Sequence, residues 1–498
     1  MANRPIDTAR RVWGIRPVRA AIIVVTLLAL GFGLLVGSSL LPAERINAQI
    51  GKASATLTAE GTYPQQSYLG STFQRDNYTD AIMLNMSMIY GPAPIKTTLS
   101  ALYYDNEAHD PVSSLADRVE SGVQPNNPYI RYWQGYVPFV RLAMLVVDYA
   151  TWRVVNAVLL IGLSLAALAL TWRRVGRGAA VALLVALSVT APPVVFNSLQ
   201  FSSVFYVALS GIIAALYLAD RYPHKRFDLE LFAVLGAVTA YLDFLTAPLL
   251  TLGLPLLVLL AYRRAHEVDD QPAGRGADGG VWWPLRAIPA WGVGYVGFWA
   301  VRWVYNVVAI NPKAFTDISG AISQRAGSGM ALSDRFSVVL QNLYLAFPRQ
   351  LFADPPTLES VTSVVVFAVA LYVVAWAALF FLSANGGGRY LFGHSAPLLV
   401  VASLPFGWML FAANHSGNHY FMVYRILAVA TFALGLFLVQ SIYWPNLFGG
   451  LAPAKAGGTK SGGTKSGGRA ASGKVSSKAS GKASAPASGK AKAKKRAK

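Results

Sequence analysis

The chain has 498 residues, of which 54% are hydrophobic and only 13% charged. Soluble domains carry about 25% charged residues, whereas here the apolar residues fall in runs of about 20, the length that crosses a ~30 Å hydrocarbon core. These numbers exclude a soluble enzyme, a secreted disulfide scaffold and a disordered chain, and the long runs exclude the short alternating segments of a membrane β-barrel. The net charge of +20 is mainly a tail property, because 13 of the 43 lysines and arginines lie after Pro453, where there is no acid. The absence of cysteine removes disulfides, thiolate metal sites and cysteine nucleophiles.

In chain order the pattern predicts an all-α polytopic bundle of about ten transmembrane helices. Residues 1–19 carry Arg4, Arg10, Arg11, Arg16 and Arg19 and are expected in the cytoplasm. The apolar run at 20–42 is longer than a signal-peptide core and reads as a retained first span. Residues 43–151 form a large outer loop. The stretch 152–310 reads as membrane bundle, with basic clusters at Arg173, Arg174 and Arg177, at Arg221, Lys225 and Arg226, and at Arg263 and Arg264 marking the inward turns. A cytoplasmic loop at 263–286 holds a flexible Asp269–Gly274 stretch. Residues 311–360 form a second outer loop, and 361–443 complete the bundle. Both termini are then cytoplasmic in a plasma-membrane protein. The tail is 444–498, and its part from Ala454 to Lys498 is built mainly of Gly, Ser, Ala and Lys, with Gly-Gly-Thr-Lys-Ser occurring twice. It lacks the apolar residues needed to offset the entropy of ordering and is expected to be disordered. Its charge suits weak attraction to anionic membrane lipids. With no aromatic residues interleaved, no specific nucleic acid is expected.

Polar groups kept near a membrane against the cost of burial point to chemistry, and four such places map to the outer side. The first is Gln74-Arg75-Asp76-Asn77-Tyr78-Thr79-Asp80, followed by an apolar pattern that predicts a helix start. Asp76 and Asp80 are four apart and share a helical face, so they suit a general base or, as an open alternative, a divalent cation. The plain structural alternative is a helix cap. The second is Asn127–Tyr136, where Arg131, Tyr132 and Trp133 can clamp a phosphate or stack on a sugar. An interfacial amphipathic helix, 137–149, is expected after it, with Arg141 and Arg153 near the same surface. The third is Asp243, in the outer part of a span ahead of the helix-breaking Pro248 and Pro255, with Arg302 as a structural partner. The fourth is Asn414–Arg425, with His415 and His419 four apart and Arg425 entering an apolar span. The intervening Ser416-Gly417-Asn418 lacks the glutamate of a zinc-protease helix, which favours hydrogen-bonding or phosphate-binding roles. Arg425 needs a partner such as a lipid phosphate or Asp243. Asn77, Asn85 and Asn414 begin triplets of the N-glycosylation pattern.

The layout of one N-terminal span, a long outer loop with an acidic motif, an interfacial helix and many further spans resembles the GT-C class of membrane glycosyltransferases. The segments 127–136, 241–248 and 414–425 are also similar to uncharacterised multi-spanning proteins of bacterial envelope-polysaccharide systems. The acidic motif here, Asp-Asn-Tyr-Thr-Asp, departs from the adjacent acidic pair common in that class. The resemblance implies a polyprenyl-phosphate sugar donor and an envelope glycan or lipid acceptor. A lipid-glycan flippase and a non-catalytic assembly subunit are the readings from other classes.

Overall fold

The computed structural model describes residues 16–222, 227–267, 283–346, 358–383 and 388–442. The basic segment before Arg16, the 269–274 stretch and the tail at 444–498 lie outside the described residues. All described residues belong to one packed unit, which ends at Leu447.

The fold is mostly helical and begins with α1 (Arg16–Ser38), the expected first span. The segment after it, between the first span and α6, is built of short elements with local signals. Helix α2 (Ala43–Glu60) leads into a hairpin, β1 (Gln65–Tyr68) and β2 (Ser71–Gln74), in which Tyr68 pairs with Ser71. Leu69 (φ 48°) and Gly70 (φ 73°) are both left-handed, as a two-residue primed turn demands. Helix α3 (Asn77–Ser87) starts where the sequence predicts, capped by Asp76. Then come α4 (Pro94–Leu99), β3 (Leu102–Tyr103), α5 (Pro111–Ser121) and β4 (Asn127–Pro128), which pairs with β3. Asp110 caps α5 and Gly122 (φ 64°) closes it.

Helix α6 (Val137–Val146) occupies the place of the expected interfacial helix, but its faces are reversed. Phe139, Leu142 and Val146 are exposed, whereas Arg141 is buried. Arg141 donates to the Ser87 carbonyl and to the hydroxyls of Ser38, Ser39 and Thr98, so its charge is turned into the protein and the apolar face outward. Arg153 is likewise removed from any ligand role, because it pairs bidentately with Glu60 at 2.6 and 2.9 Å.

The bundle continues with α7 (Tyr149–Arg174), α8 (Arg177–Ser188), α9 (Pro192–Phe196), α10 (Leu199–Arg221), α11 (Asp228–Leu242), α12 (Leu249–Glu267) and α13 (Ala287–Tyr305). The described part of the segment 311–360 holds two helices, α14 (Ala314–Arg325) and α15 (Leu332–Ala346). After α16 (Leu358–Ser383) and α17 (Gly388–Phe411), two short helices, α18 (Ala413–Asn418) and α19 (Tyr420–Val423), lead into α20 (Leu427–Ser441).

Among the described residues, seven helices are long and apolar enough to cross a membrane. They lie at 21–38, 149–174, 199–221, 249–266, 284–310, 359–378 and 420–441. At the other three expected spans, α8 has 12 residues, α11 has 15, and the apolar part of α17 covers Ala396–Phe411. The spans at 249–266 and 420–441 are 78% and 72% buried and form the centre, whereas 359–378, at 11%, lies at the periphery. Helices α11 and α13 touch through glycine. A Cβ on Gly236 would lie 2.1 Å from the Trp291 carbonyl oxygen, and one on Gly294 equally close to that of Ala233. Small residues allow this backbone approach, which packing in lipid favours.

Candidate functional site

A cavity of about 400 Å³ brings together three of the four polar places. Asp76, Arg131, Tyr132, His415 and His419 all line it. The hairpin fixes the entry to α3: the Arg75 amide donates to the Pro64 carbonyl, and the Phe73 ring lies 6.0 Å from that of Tyr424. Asp76 Oδ1 accepts from the Thr79 amide at 3.1 Å and so caps the helix, while Oδ2 is buried without a hydrogen-bond partner. The cap and the site are therefore the same residue. Burial raises the Asp76 pKa to about 7, with Asp80 adding to the rise and Thr79 and Arg425 opposing it.

Asp80 lies elsewhere. It is fully buried and does not line the cavity. Its oxygens accept from the amides of Leu199 and Gln200, the Ser198 hydroxyl and the Tyr149 hydroxyl, at 3.0–3.1 Å. It completes the N-terminus of α10, where a carboxylate meets both orphan amides and the positive end of the dipole. Burial pushes its pKa up, and the two amides, Arg153 and Tyr149 pull it back. The spacing of four does not yield a carboxylate pair, and no group of three or more metal-ligating side chains occurs among the described residues.

The cationic wall is a layered stack. The Tyr129 and Tyr132 rings are 5.6 Å apart and inclined by 18°. The Arg131 guanidinium lies 4.9 Å from the Tyr129 ring centre, and that of Arg325 lies 5.8 Å from Tyr132 and 3.3 Å from its hydroxyl. Among the described residues neither arginine forms an ion pair, so both charges are available to a ligand. Arg325 stands at the end of α14, whose C-terminus is held by Arg335 donating to the carbonyls of Ala326, Gly327 and Leu410. Nothing in the sequence sets Arg325 apart from its neighbours, because its placement depends on α14 folding back over the Tyr132 loop.

His415 donates from Nε2 to the Leu245 carbonyl at 2.9 Å, which fixes its tautomer. Burial lowers its pKa to about 3, and desolvation with the nearby Arg325 charge lowers that of His419. Both imidazoles are neutral at physiological pH, and the positive charge of the cavity comes from Arg131 and Arg325. Leu245, with φ 69°, sits in a buried non-helical stretch between α11 and α12, where irregular backbone is tolerated because it is enclosed by protein and borders a cavity.

The remaining candidates serve the framework. Asp243 accepts from the Thr246 amide through both oxygens, at 3.1 and 3.0 Å, and turns the chain ahead of Pro248. The expected Asp243–Arg302 pair does not form. Arg302 donates to the Tyr132 carbonyl and Gln134 Oε1, because the Asp243 carboxylate is satisfied within its own turn. Trp133 is buried, and its indole donates to the Phe298 carbonyl. Arg425 is buried, donates to the carbonyls of Thr190 and Phe421, and packs 4.1 Å from the Phe201 ring centre, and among the described residues it forms no ion pair with Asp243. Asn77 and Asn85 are buried in hydrogen bonds of the outer region. Three further cavity residues were not singled out by the sequence: Tyr63, Tyr78 and Gln200, whose side chain donates to Thr246 Oγ1 at 3.2 Å. Tyr78 lies inside the acidic motif, yet only its contact with Tyr63 marks it.

Fold and site together define a polytopic helical membrane protein with a buried acid and two arginines that make no ion pair among the described residues, all lining one cavity. In comparisons with known proteins the chain matches no family model, no curated protein and no solved structure.

Proposed function

We propose that the protein is a membrane glycosyltransferase that uses a polyprenyl-phosphate-linked sugar to modify an envelope glycan or glycolipid on the outer face of the plasma membrane. The observation that carries this reading is a second, apolar groove of about 310 Å³ beside the cationic cavity. It is lined by Met83, Tyr136, Trp152, Leu199, Tyr206 and Leu242, among others. The two spaces border on neighbouring residues, Ile82 and Met83 on α3 and Gln200 and Leu199 on α10, and the Phe244 and Tyr136 rings between them are 4.9 Å apart. A cationic pocket beside an apolar groove suits an amphiphile with an anionic head, which is the chemistry of a lipid phosphate.

In this reading Arg131 and Arg325 hold the phosphate, with Tyr132, His415 and His419 shaping the pocket. Asp76 Oδ2 takes the proton of the acceptor hydroxyl. The hydroxyl oxygen bonds to the anomeric carbon of the donor as the bond from that carbon to the phosphate oxygen breaks. The electron pair leaves on the phosphate, whose growing charge the two guanidiniums stabilise. Ten membrane crossings with both termini cytoplasmic would open the cavity to the outer side.

Mass spectrometry of envelope glycans and polyprenyl-phosphate lipids tests the reading in cells making the wild-type protein or Asp76→Asn. Loss of a glycan substituent with accumulation of its lipid-linked donor supports it, and unchanged profiles overturn it. The break between α11 and α12 favours one alternative, a flippase for a lipid-linked glycan. Loss of that activity would leave the donor intact but on the inner leaflet.

A further inference from the structure

The cavity has two unlike rims. Opposite in character to the arginine stack stand Tyr63 and Tyr78, which remain 43% and 38% exposed although they line the cavity. Their rings are parallel within 5° with centres 6.0 Å apart, and Phe421 meets Tyr63 edge-on at the same distance. Two exposed, parallel phenol rings at the mouth of a polar cavity are an unusual expense of apolar surface for a region that touches water. The neighbouring charges are acidic. Asp110 accepts from the Thr62 hydroxyl beside Tyr63, and Asp105 accepts from the Tyr103 hydroxyl and Asn127. Asp76, with its unpaired Oδ2, lines the same cavity, and after burial its charge does most to raise the Tyr63 pKa. After burial, Tyr129 does most to raise the Tyr78 pKa, followed by Asp105, Asp76 and Asp110.

We propose that the Tyr63–Tyr78 rim is the acceptor subsite and that it takes an uncharged carbohydrate. This rests on the transferase reading and names the acceptor class it leaves open. The apolar C–H face of a pyranose covers an aromatic ring while its hydroxyls stay hydrogen-bonded, which is the use of an aromatic body with a polar edge. The carboxylates accept hydroxyl hydrogens and repel anions, so a uronate or phosphate-bearing glycan is turned away from this rim and a lipid phosphate is directed to Arg131 and Arg325. A single cavity thereby sorts two substrates by charge.

The test uses the full chain in lipid nanodiscs with two probes measured separately: a panel of uncharged oligosaccharides with uronate-bearing counterparts, and farnesyl phosphate. Binding of at least one uncharged oligosaccharide, and weaker binding of its uronate counterpart, is expected. Tyr63→Ala/Tyr78→Ala should weaken it about tenfold or more, whereas Tyr63→Phe/Tyr78→Phe, which keeps the rings, should hold it within about threefold. Farnesyl phosphate binding should survive both tyrosine variants and fall in Arg131→Gln/Arg325→Gln. Failure of every uncharged glycan to bind, equal binding of the uronates, or indifference to loss of the rings overturns the proposal. If farnesyl phosphate does not bind, the donor reading fails instead, and the glycan result still decides the character of the rim.

Discussion

Asp76 and Asp80 stand one helical turn apart on α3 and meet opposite fates. Asp80 is enclosed at the start of α10, with four donors converging on its two oxygens. Asp76 satisfies one oxygen in a cap and presents the other, unpaired, to a cavity with two guanidiniums. The same residue type at a helical spacing thus yields a joint between the first extramembrane segment and the bundle in one place and an unsatisfied carboxylate oxygen at a cavity in the other. Spacing determines which turn a side chain occupies, and the elements packed against that turn determine what it does. A buried carboxylate without its full set of donors is costly, and such cost is commonly retained where function needs it.

The comparison breaks most visibly if the two acids are exchanged in effect. Asp76→Asn should lower glycan transfer by about 10²–10⁴-fold, the range for loss of a general base, with folded protein recovered at the wild-type level. A pH profile sharpens the assignment. With the Asp76 pKa at about 7, transfer should fall about tenfold per pH unit below that value and level off above it, because only the ionised form accepts a proton. A profile flat from pH 5 to 8 would remove Asp76 from the proton transfer. Asp80→Ala should act on the fold: leaving the Leu199 and Gln200 amides and two hydroxyls unpaired costs about 3 kcal/mol or more, read as a lower unfolding midpoint and poor recovery. Arg325→Gln is the mildest. Farnesyl phosphate binding should weaken about tenfold with no change in thermal stability, since the Arg325 side chain is half-buried and makes no ion pair among the described residues.

The sequence made the class and much of the layout legible, because burial in lipid is written in long apolar runs and their basic flanks. Helix α3 and its cap were visible in Asp76 and the apolar pattern after Thr79. The convergence of 76, 131–132 and 415–419 was suggested only by their common side of the membrane. The reversal of α6 was hidden because an arginine in an apolar helix has the same pattern whether it faces water or a buried set of hydroxyls. Arg325 and Tyr63 were hidden because they belong to the site only through the folding back of α14 and the α2–hairpin turn. Asp243 reads as chemistry because charge near a membrane is costly, and the Thr246 amide in its own turn meets part of that cost.

The most direct measurement is thermal unfolding of wild type, Asp76→Asn and Asp80→Asn in nanodiscs at pH 5, 6.5 and 8, which needs no substrate. The folded-state pKa of Asp76 lies above its ordinary value of 3.8, so the native state binds the proton more tightly and its stability declines as pH rises from about 4 to about 7. Asn removes that penalty. Asp76→Asn should therefore unfold at or above the wild-type temperature at pH 8, with the margin shrinking toward pH 5, while Asp80→Asn, although burial raises the Asp80 pKa as well, should unfold below wild type throughout, because the Asn amide nitrogen cannot accept from the donors that meet the carboxylate. If Asp76→Asn is instead destabilised as much as Asp80→Asn at pH 8, Asp76 is a second structural joint and the division between the two acids is wrong.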